Sequence, residues 1–268
     1  MPIITLLTDF GTDDEYVGVI KGVILSICPT ASVVDISHHI EPQNIVGAAF
    51  FIPTYPQYFP PGTIHVVVVD PGVGTERAII AMSIKNQIFI APDNGILTLL
   101  LEKNTPEALV RIEAPEYCLF PVGRTFQGRD VFAPIAAHLA TGIDLKKLGS
   151  QLVPEQIVTL RIAKPYLSEN NELIGQIVSI DRFGNLITDI EADMLTGFCR
   201  EKNRPEPVVW VGDGRVKGMS DSYADVAPRK PVAVVGSRGC LEIAVNQGSA
   251  KKYFGARPGD PVRIKLAG

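Results

Sequence analysis

The chain has 268 residues, 46% of them hydrophobic, and a net charge of -4. That length suits one large domain or two modest ones, and mild acidity without a dense Lys/Arg cluster argues against a nucleic-acid binder. No apolar run approaches the roughly 20 residues of a membrane span, and Cys28, Cys118, Cys199 and Cys240 form no C-x-x-C pair, so the expectation is a cytoplasmic protein with neither a disulfide framework nor a zinc site.

The opening stretch "MPIITLLTDFGTDDEY" has no basic region before its apolar run and reads as a buried strand ending at Asp9, not as a secretion signal. Thr12 followed by Glu15 makes a capping box for a helix that Pro29 closes. "ASVVDI" ends near Asp35, and a second helix fits Asn44 to Pro53. "TIHVVVVD" ends at Asp70 and "QIFIAPDNG" near Asp93, and between them a turn with Pro71, Gly72 and Gly74 leads to a strand from about Ala78. A third helix fits Gly128 to Ala140, capped by Thr125 at its start and by Gly142 at its end. Strands that are apolar throughout are what a doubly covered parallel sheet requires, so residues 1–165 read as an α/β, Rossmann-like, doubly wound and mostly parallel domain. The texture then changes. "KPYLSENNE" is turn-prone, and six short strand-like runs separated by turn residues follow, so residues 166–268 read as a small antiparallel barrel or sandwich.

Four polar clusters carry the candidate chemistry. Asp9, Asp70 and Asn94 stand at the carboxyl ends of strands, where open parallel sheets bind ligands. The stretch "VVVVDPGVGTER" is neither a Walker loop nor a dinucleotide fingerprint, and an ion pair between Asp70 and Arg77 could equally be structural. In "TFQGRDVFAPIAAHLA" a helix N-terminus could favour a developing anion, although ordinary capping, with Asp130 complementing the dipole, explains it as well. "SIDRFGN" places Asp181, Phe183 and Asn185 around a glycine, as a hairpin or as an aromatic-plus-amide grip on a purine. "GSRGCLEIAVNQGSA" contributes Ser237, Arg238 and Asn246. The adjacent His38 and His39 would point to opposite faces of an extended strand, and with His65 and His138 they form no metal triad.

Together with "ISHHIEPQNI" and "APDNG", these stretches span nearly the whole chain, and the sequence resembles the S-adenosyl-L-methionine (SAM) hydroxide adenosyltransferases, relatives of the fluorinating and chlorinating enzymes. The resemblance implies an α/β N-terminal domain, a β-barrel C-terminal domain, and homotrimers with the ligand between one subunit's N-terminal domain and a neighbour's C-terminal domain. It implies that Asp9 holds the ribose hydroxyls, that Asn185, Phe183 and backbone near Val245 and Gln247 hold adenine, and that Asp181, Ser237 and Arg238 grip the methionine end. Asp14, Tyr16 and Tyr223 would be further pocket positions. Asp70 and Arg77 would position water for attack on the ribose C5′, giving adenosine and L-methionine, with SAM as substrate and no metal or other cofactor.

Two departures bear on the activity. The halogenating relatives carry a tyrosine where this chain has Asp70, and the fluorinating ones insert a loop after the position of Arg77, which favours hydrolysis over halogenation. The hydrolases complete their Asp–Arg pair with a histidine in "TFHGRD", whereas this chain has Gln127, which cannot take up a proton near neutral pH. The alternative is therefore a SAM- or adenosine-binding protein that has lost catalysis.

Overall fold

The computed structural model describes residues 1–200 and 206–266. Contacts divide the chain into two compact units, Met1–Arg161 and Ile162–Gly268. The first runs β1 (Ile3–Thr8), α1 (Tyr16–Ile27), β2 (Ser32–Ser37), α2 (Ile45–Phe51), β3 (Ile64–Val68), β4 (Ile79–Ile84), β5 (Gln87–Pro92), α3 (Thr98–Glu102), β6 (Ala108–Arg111) and α4 (Ala133–Ala140). Its strands lie in the order β2-β1-β3-β5-β4-β6. Among the described residues, the β1·β2, β1·β3 and β3·β5 ladders are parallel, while β4 runs antiparallel to both β5 and β6. The sheet is therefore mixed, its parallel part lying on the side that carries the site. The reversal comes from a two-residue turn at Lys85 and Asn86, which have φ of 51° and 59°, the backbone that a tight hairpin turn demands.

Apolar residues on the central strands alternate between two cores. Ile4 and Leu6 of β1 and Val66 and Val68 of β3 pack with Ile20 and Ile24 of α1 and Ile135 of α4. Leu7, Val67 and Val69 point the other way, among Ala48 of α2, Met82, Phe89 and Leu100 of α3. This is why the valine run shows no polar alternation: each fully buried side chain of this kind contributes about 1.5–3 kcal/mol, whichever face it takes. The edge strand β2 is only partly buried. His65 sits in the second core, its Nδ1 2.7 Å from Thr5 Oγ1 and its ring 4.7 Å from that of Phe89. Burial, partly offset by Gln87, lowers its pKa to about 4.

Two expected caps are not built. The N-cap of α1 is Glu15, with no side-chain hydrogen bond, so the Thr12–Glu15 capping box does not form; residues 11–14 turn instead, with Gly11 at φ 70° donating its N–H to His38 O. At the third helix, Gly128–Phe132 form a wide π turn ahead of α4, and its N-cap is Gln127, not Thr125. His38 lies beyond β2 rather than on it, and its Nδ1 is 2.8 Å from Thr8 Oγ1.

The second unit contains β7 (Tyr166–Leu167), β8 (Leu173–Ile180), β9 (Leu186–Glu191), α5 (Ala192–Arg200), β10 (Pro207–Val211), β11 (Gly214–Lys217), β12 (Pro231–Val235), β13 (Cys240–Val245), α6 (Ala250–Phe254) and β14 (Pro261–Leu266). The strands are antiparallel in the order β11-β10-β14-β8-β9-β13-β12, with β7 beside β8. A bridge from Ser220 to Val234 draws the two ends of that order together into a nearly closed barrel. Its interior is filled by Leu173, Ile177, Leu186, Ile190, Val209, Leu241, Ile243 and Ile264. Gly175 lets β9 pack closely against β8, since a Cβ would fall 2.4 Å from Ile190 Cγ1.

Among the described residues no helix is long and apolar enough to cross a membrane, and no group of three or more His, Cys, Asp or Glu is placed to hold a metal ion.

Candidate active site

From β1 the chain passes through α1 to β2 on one side of β1, then through α2 to β3 on the other. The crevice beyond the carboxyl ends of β1 and β3 is therefore the point where the winding reverses, the usual ligand site of such sheets. Asp9 follows β1 and Asp70 follows β3 closely. Both line a cleft of about 290 Å³ with Phe10, Tyr16, Gln43, Val73, Phe126 and Gln127. Three of these rings form one wall: Tyr16 and Phe126 have centroids 5.0 Å apart, and Phe10 lies 5.9 Å from Tyr16. Asp9 Oδ2 accepts the Gln43 N–H at 2.8 Å, and Gln43 has the left-handed φ of 66°.

Arg77 stands behind Asp70 and donates to both of its oxygens, Nε to Oδ1 at 2.9 Å and Nη2 to Oδ2. The side chains are 10% and 4% exposed. The same Nη2 donates to Gln127 Oε1. Because a guanidinium has only donors, Gln127 must turn its carbonyl toward Arg77, and the end left for the cleft is the amide NH₂. A neutral histidine at this position would do likewise, accepting from the arginine with one nitrogen and offering N–H with the other. Gln127 thus reproduces the hydrogen-bond polarity of that histidine while lacking its basicity.

The turn that delivers Arg77 is closed by the Asp70 carbonyl, which accepts from Val73 N, and by the Gly72 carbonyl, which accepts from Thr75 N and Thr75 Oγ1. Gly74 has φ 76°, and a Cβ there would lie 2.3 Å from the carbonyl oxygen of Arg124. That glycine is demanded by close backbone approach. On the loop side, Asp130 is buried and accepts from Arg129 Nε at 2.6 Å and from Gly123 N at 2.7 Å. The Arg129 guanidinium holds the Asp130 carboxyl below the usual carboxylate range against the effect of burial, with the Gly123 amide assisting. Arg129 lies 5.5 Å above the Phe126 ring. This pair fixes the loop carrying Phe126 and Gln127.

In the second unit, Asp181, Phe183, Asn185, Tyr223, Ser237, Arg238, Val245 and Gln247 all line one cavity of about 740 Å³. Asp181 organises the loop between β8 and β9: its Oδ1 accepts from Phe183 N and Asn185 N, both at 2.9 Å, and its Oδ2 from Asn185 Nδ2 at 3.1 Å. Gly184 has φ 88°, and a Cβ would meet Ser249 Oγ at 2.1 Å. The loop so held leaves Phe183 77% exposed and buries Asn185. Arg238, in the β12–β13 turn, donates from Nη1 to Ser179 Oγ at 3.1 Å.

Besides Arg77, which stands behind Asp70, two sequence candidates are outside the lining of these cavities. Asn94 donates to Val69 O at 3.0 Å and accepts from Ile96 N at 3.2 Å, joining the end of β3 to the segment after β5. Asp14 is exposed and outside the cleft lining. Sequence reading passed over Phe10, Gln43, Phe126 and Glu242. A polar Glu242 between leucine and isoleucine was the one available signal for the last.

Residues 4–149 match the N-terminal domain of SAM hydroxide adenosyltransferase and residues 175–263 its C-terminal domain. An (R)-S-adenosyl-L-methionine hydrolase of Thermus thermophilus is 37% identical over 96% of this chain and 97% of its own. A fluorinase of Actinopolyspora mzabensis is 30% identical over 98% and 97%. A crystal structure of a conserved protein from Thermotoga maritima is 38% identical with a TM-score of 0.90, covering 97% of this chain and 99% of that one. These matches, which span nearly the whole chain, show that it belongs to the SAM hydroxide adenosyltransferase family.

Proposed function

We propose that the protein hydrolyses SAM to adenosine and L-methionine by in-line attack of an oriented water on the ribose C5′. The observation that carries this reading is the chain Asp70–Arg77–Gln127, whose two ends line the cleft beyond β1 and β3 while Arg77 joins them from behind. The substrate's sulfonium leaves as a neutral thioether, so the leaving group requires no acid. The nucleophile requires orientation. Asp70 accepts a hydrogen bond from one water O–H, the Gln127 NH₂ donates to one oxygen lone pair, and the second lone pair is aimed at carbon. Asp70 takes the proton late, when bond formation has acidified the water, because an aspartate is a weak base. Arg77 holds the carboxylate and tempers its charge. Such positioning is worth up to about 7–11 kcal/mol. A carboxylate at position 70 also favours a nucleophile that donates hydrogen bonds over a halide ion, which cannot.

In the same reading Asp9 accepts both ribose hydroxyls, with Tyr16 in the pocket wall. Phe183 and Asn185 take the adenine beside the Val245–Gln247 backbone, and Arg238 with Ser237 takes the methionine carboxylate. A homotrimer would bring the first unit of one subunit to the second unit of a neighbour, and the exposed Phe183 and the open cavity around it support such an arrangement.

Incubation of purified protein with SAM, followed by chromatography, tests the reading. Adenosine and methionine should form in equal amounts; no adenosine above the blank refutes it.

A further inference from the structure

Glu242, which the substrate reading above does not use, lines the cavity of the second unit and is 6% exposed. It sits on β13 and accepts a hydrogen bond from Tyr223 Oη at 2.5 Å. That bond, together with burial, pushes the Tyr223 hydroxyl up to about 12, so it remains a donor throughout the neutral range. Position 236 is a glycine against this carboxylate, where a Cβ would fall 2.3 Å from Glu242 Oε2. The acid is thus fixed in place by a hydroxyl on one side and a side-chain-free backbone on the other.

The charged residues lining this cavity are Arg238, Asp181 and Glu242: one cation and two anions. Zwitterionic methionine would need one of each. SAM carries a carboxylate, an ammonium and a sulfonium, and so matches the set. Asp181 already accepts three hydrogen bonds from its own loop, leaving about one of its roughly four acceptor positions, enough for an ammonium N–H. A sulfonium offers no hydrogen bond, so its partner must be a charge held by other contacts. Glu242 meets that description. We infer that Glu242, held by Tyr223 and accommodated by Gly236, is a specificity residue that makes this cavity select the sulfonium of SAM over the neutral thioether of S-adenosyl-L-homocysteine. The inference rests on the proposed hydrolysis reading and deepens it.

Sulfonium charge disappears as the carbon–sulfur bond breaks, so Glu242 stabilises the bound ground state more than the transition state. Its removal should raise KM without lowering kcat. Calorimetry with wild type and Glu242→Gln, titrated with each ligand, gives the test. The variant should bind SAM roughly tenfold more weakly, about 1.4 kcal/mol, while the homocysteine analogue changes less than twofold and kcat does not fall. Equal weakening of both ligands, no weakening of either, or a fall in kcat at unchanged KM overturns the assignment. If Glu242→Gln does not fold, Tyr223→Phe substitutes for it: a selective loss of SAM affinity of about threefold supports the proposal, and unchanged selectivity overturns it. Wild type that binds neither ligand defeats the hydrolysis reading itself, a result distinct from loss of selectivity alone.

Discussion

Replacing Asp70 with asparagine preserves shape and removes one charge. In the native pair, Arg77 donates to both carboxylate oxygens. Asparagine has one oxygen, so its NH₂ must face either Nε–H or Nη2–H of Arg77, and one of the two contacts becomes donor against donor. The guanidinium is 10% exposed, and leaving a buried charge without its partner costs about 3–5 kcal/mol. Gln127 Oε1 still accepts from Arg77, which places the expected cost near the lower end, about 3 kcal/mol. For a unit of this size that lowers Tm by roughly 6–12 °C, well short of unfolding at 25 °C given a typical 5–15 kcal/mol reserve. The water loses its acceptor as well, and general-base contributions of this kind are about 10²–10⁴ in rate, or roughly 2.7–5.4 kcal/mol at 1.36 per decade. Asp9, Phe183, Asn185 and Arg238 are untouched, so SAM affinity should stay within about threefold. Thermal unfolding, single-turnover rate and calorimetric binding of SAM are the assays. A folded variant that loses less than tenfold in rate, or loses affinity in step with rate, refutes the assignment of Asp70 to the nucleophile.

Two further outcomes are expected. Gln127→His keeps the hydrogen-bond polarity toward Arg77 but adds a group that can titrate; the neighbouring guanidinium disfavours its charged form, so the variant's pH–rate profile should lose activity below about pH 6, relative to an ordinary histidine value of about 6.5. The wild-type profile should be flat there, and superimposable profiles would show that position 127 does not touch the reacting water. His65 bears on stability: its folded pKa of about 4 lies below the unfolded value of about 6.5, so the unfolded chain binds the proton first and stability falls as pH drops from about 6.5 to about 4. The loss is about 3 kcal/mol from this residue. Chemical denaturation across that range should show a flatter dependence for His65→Gln, and parallel curves would refute the attribution.

Much of the first unit was legible because the residues that build it are apolar in the way two-sided burial requires. The run ending at Asp70 shows no alternation, and its valines enter two different cores. Asp9 and Asp70 could be found for the same reason, since polar residues that end such runs fall at the rim of the sheet. The hairpin reversal between β4 and β5 was not legible, because Lys85 and Asn86 adopt left-handed backbone without the glycine that usually signals it. The capping box at Thr12 failed because local chemistry yielded to the path of the chain: Gly11 bonds to His38 O, and the helix starts only at Tyr16. Asn94 looked like a ligand residue from its place at a strand end, yet its amide is engaged with backbone on both sides. Glu242 stayed hidden because a polar residue within a strand ordinarily faces solvent; here Tyr223 and the turn carrying Ser237 and Arg238 line a cavity over it.

The contact between Gly74 and the backbone of Arg124 joins two segments that are far apart in sequence, and Arg124 Nη2 reinforces it by donating to Gly74 O at 3.2 Å. One segment carries the guanidinium and the other the amide that faces it, so Arg77 and Gln127 cannot drift independently. If position 70 and position 127 share the reacting water as proposed, bulk introduced at this seam would pry them apart while leaving Asp9 and the second unit's cavity untouched, and damage far from any ligand would register as lost speed in an enzyme that still fills with substrate.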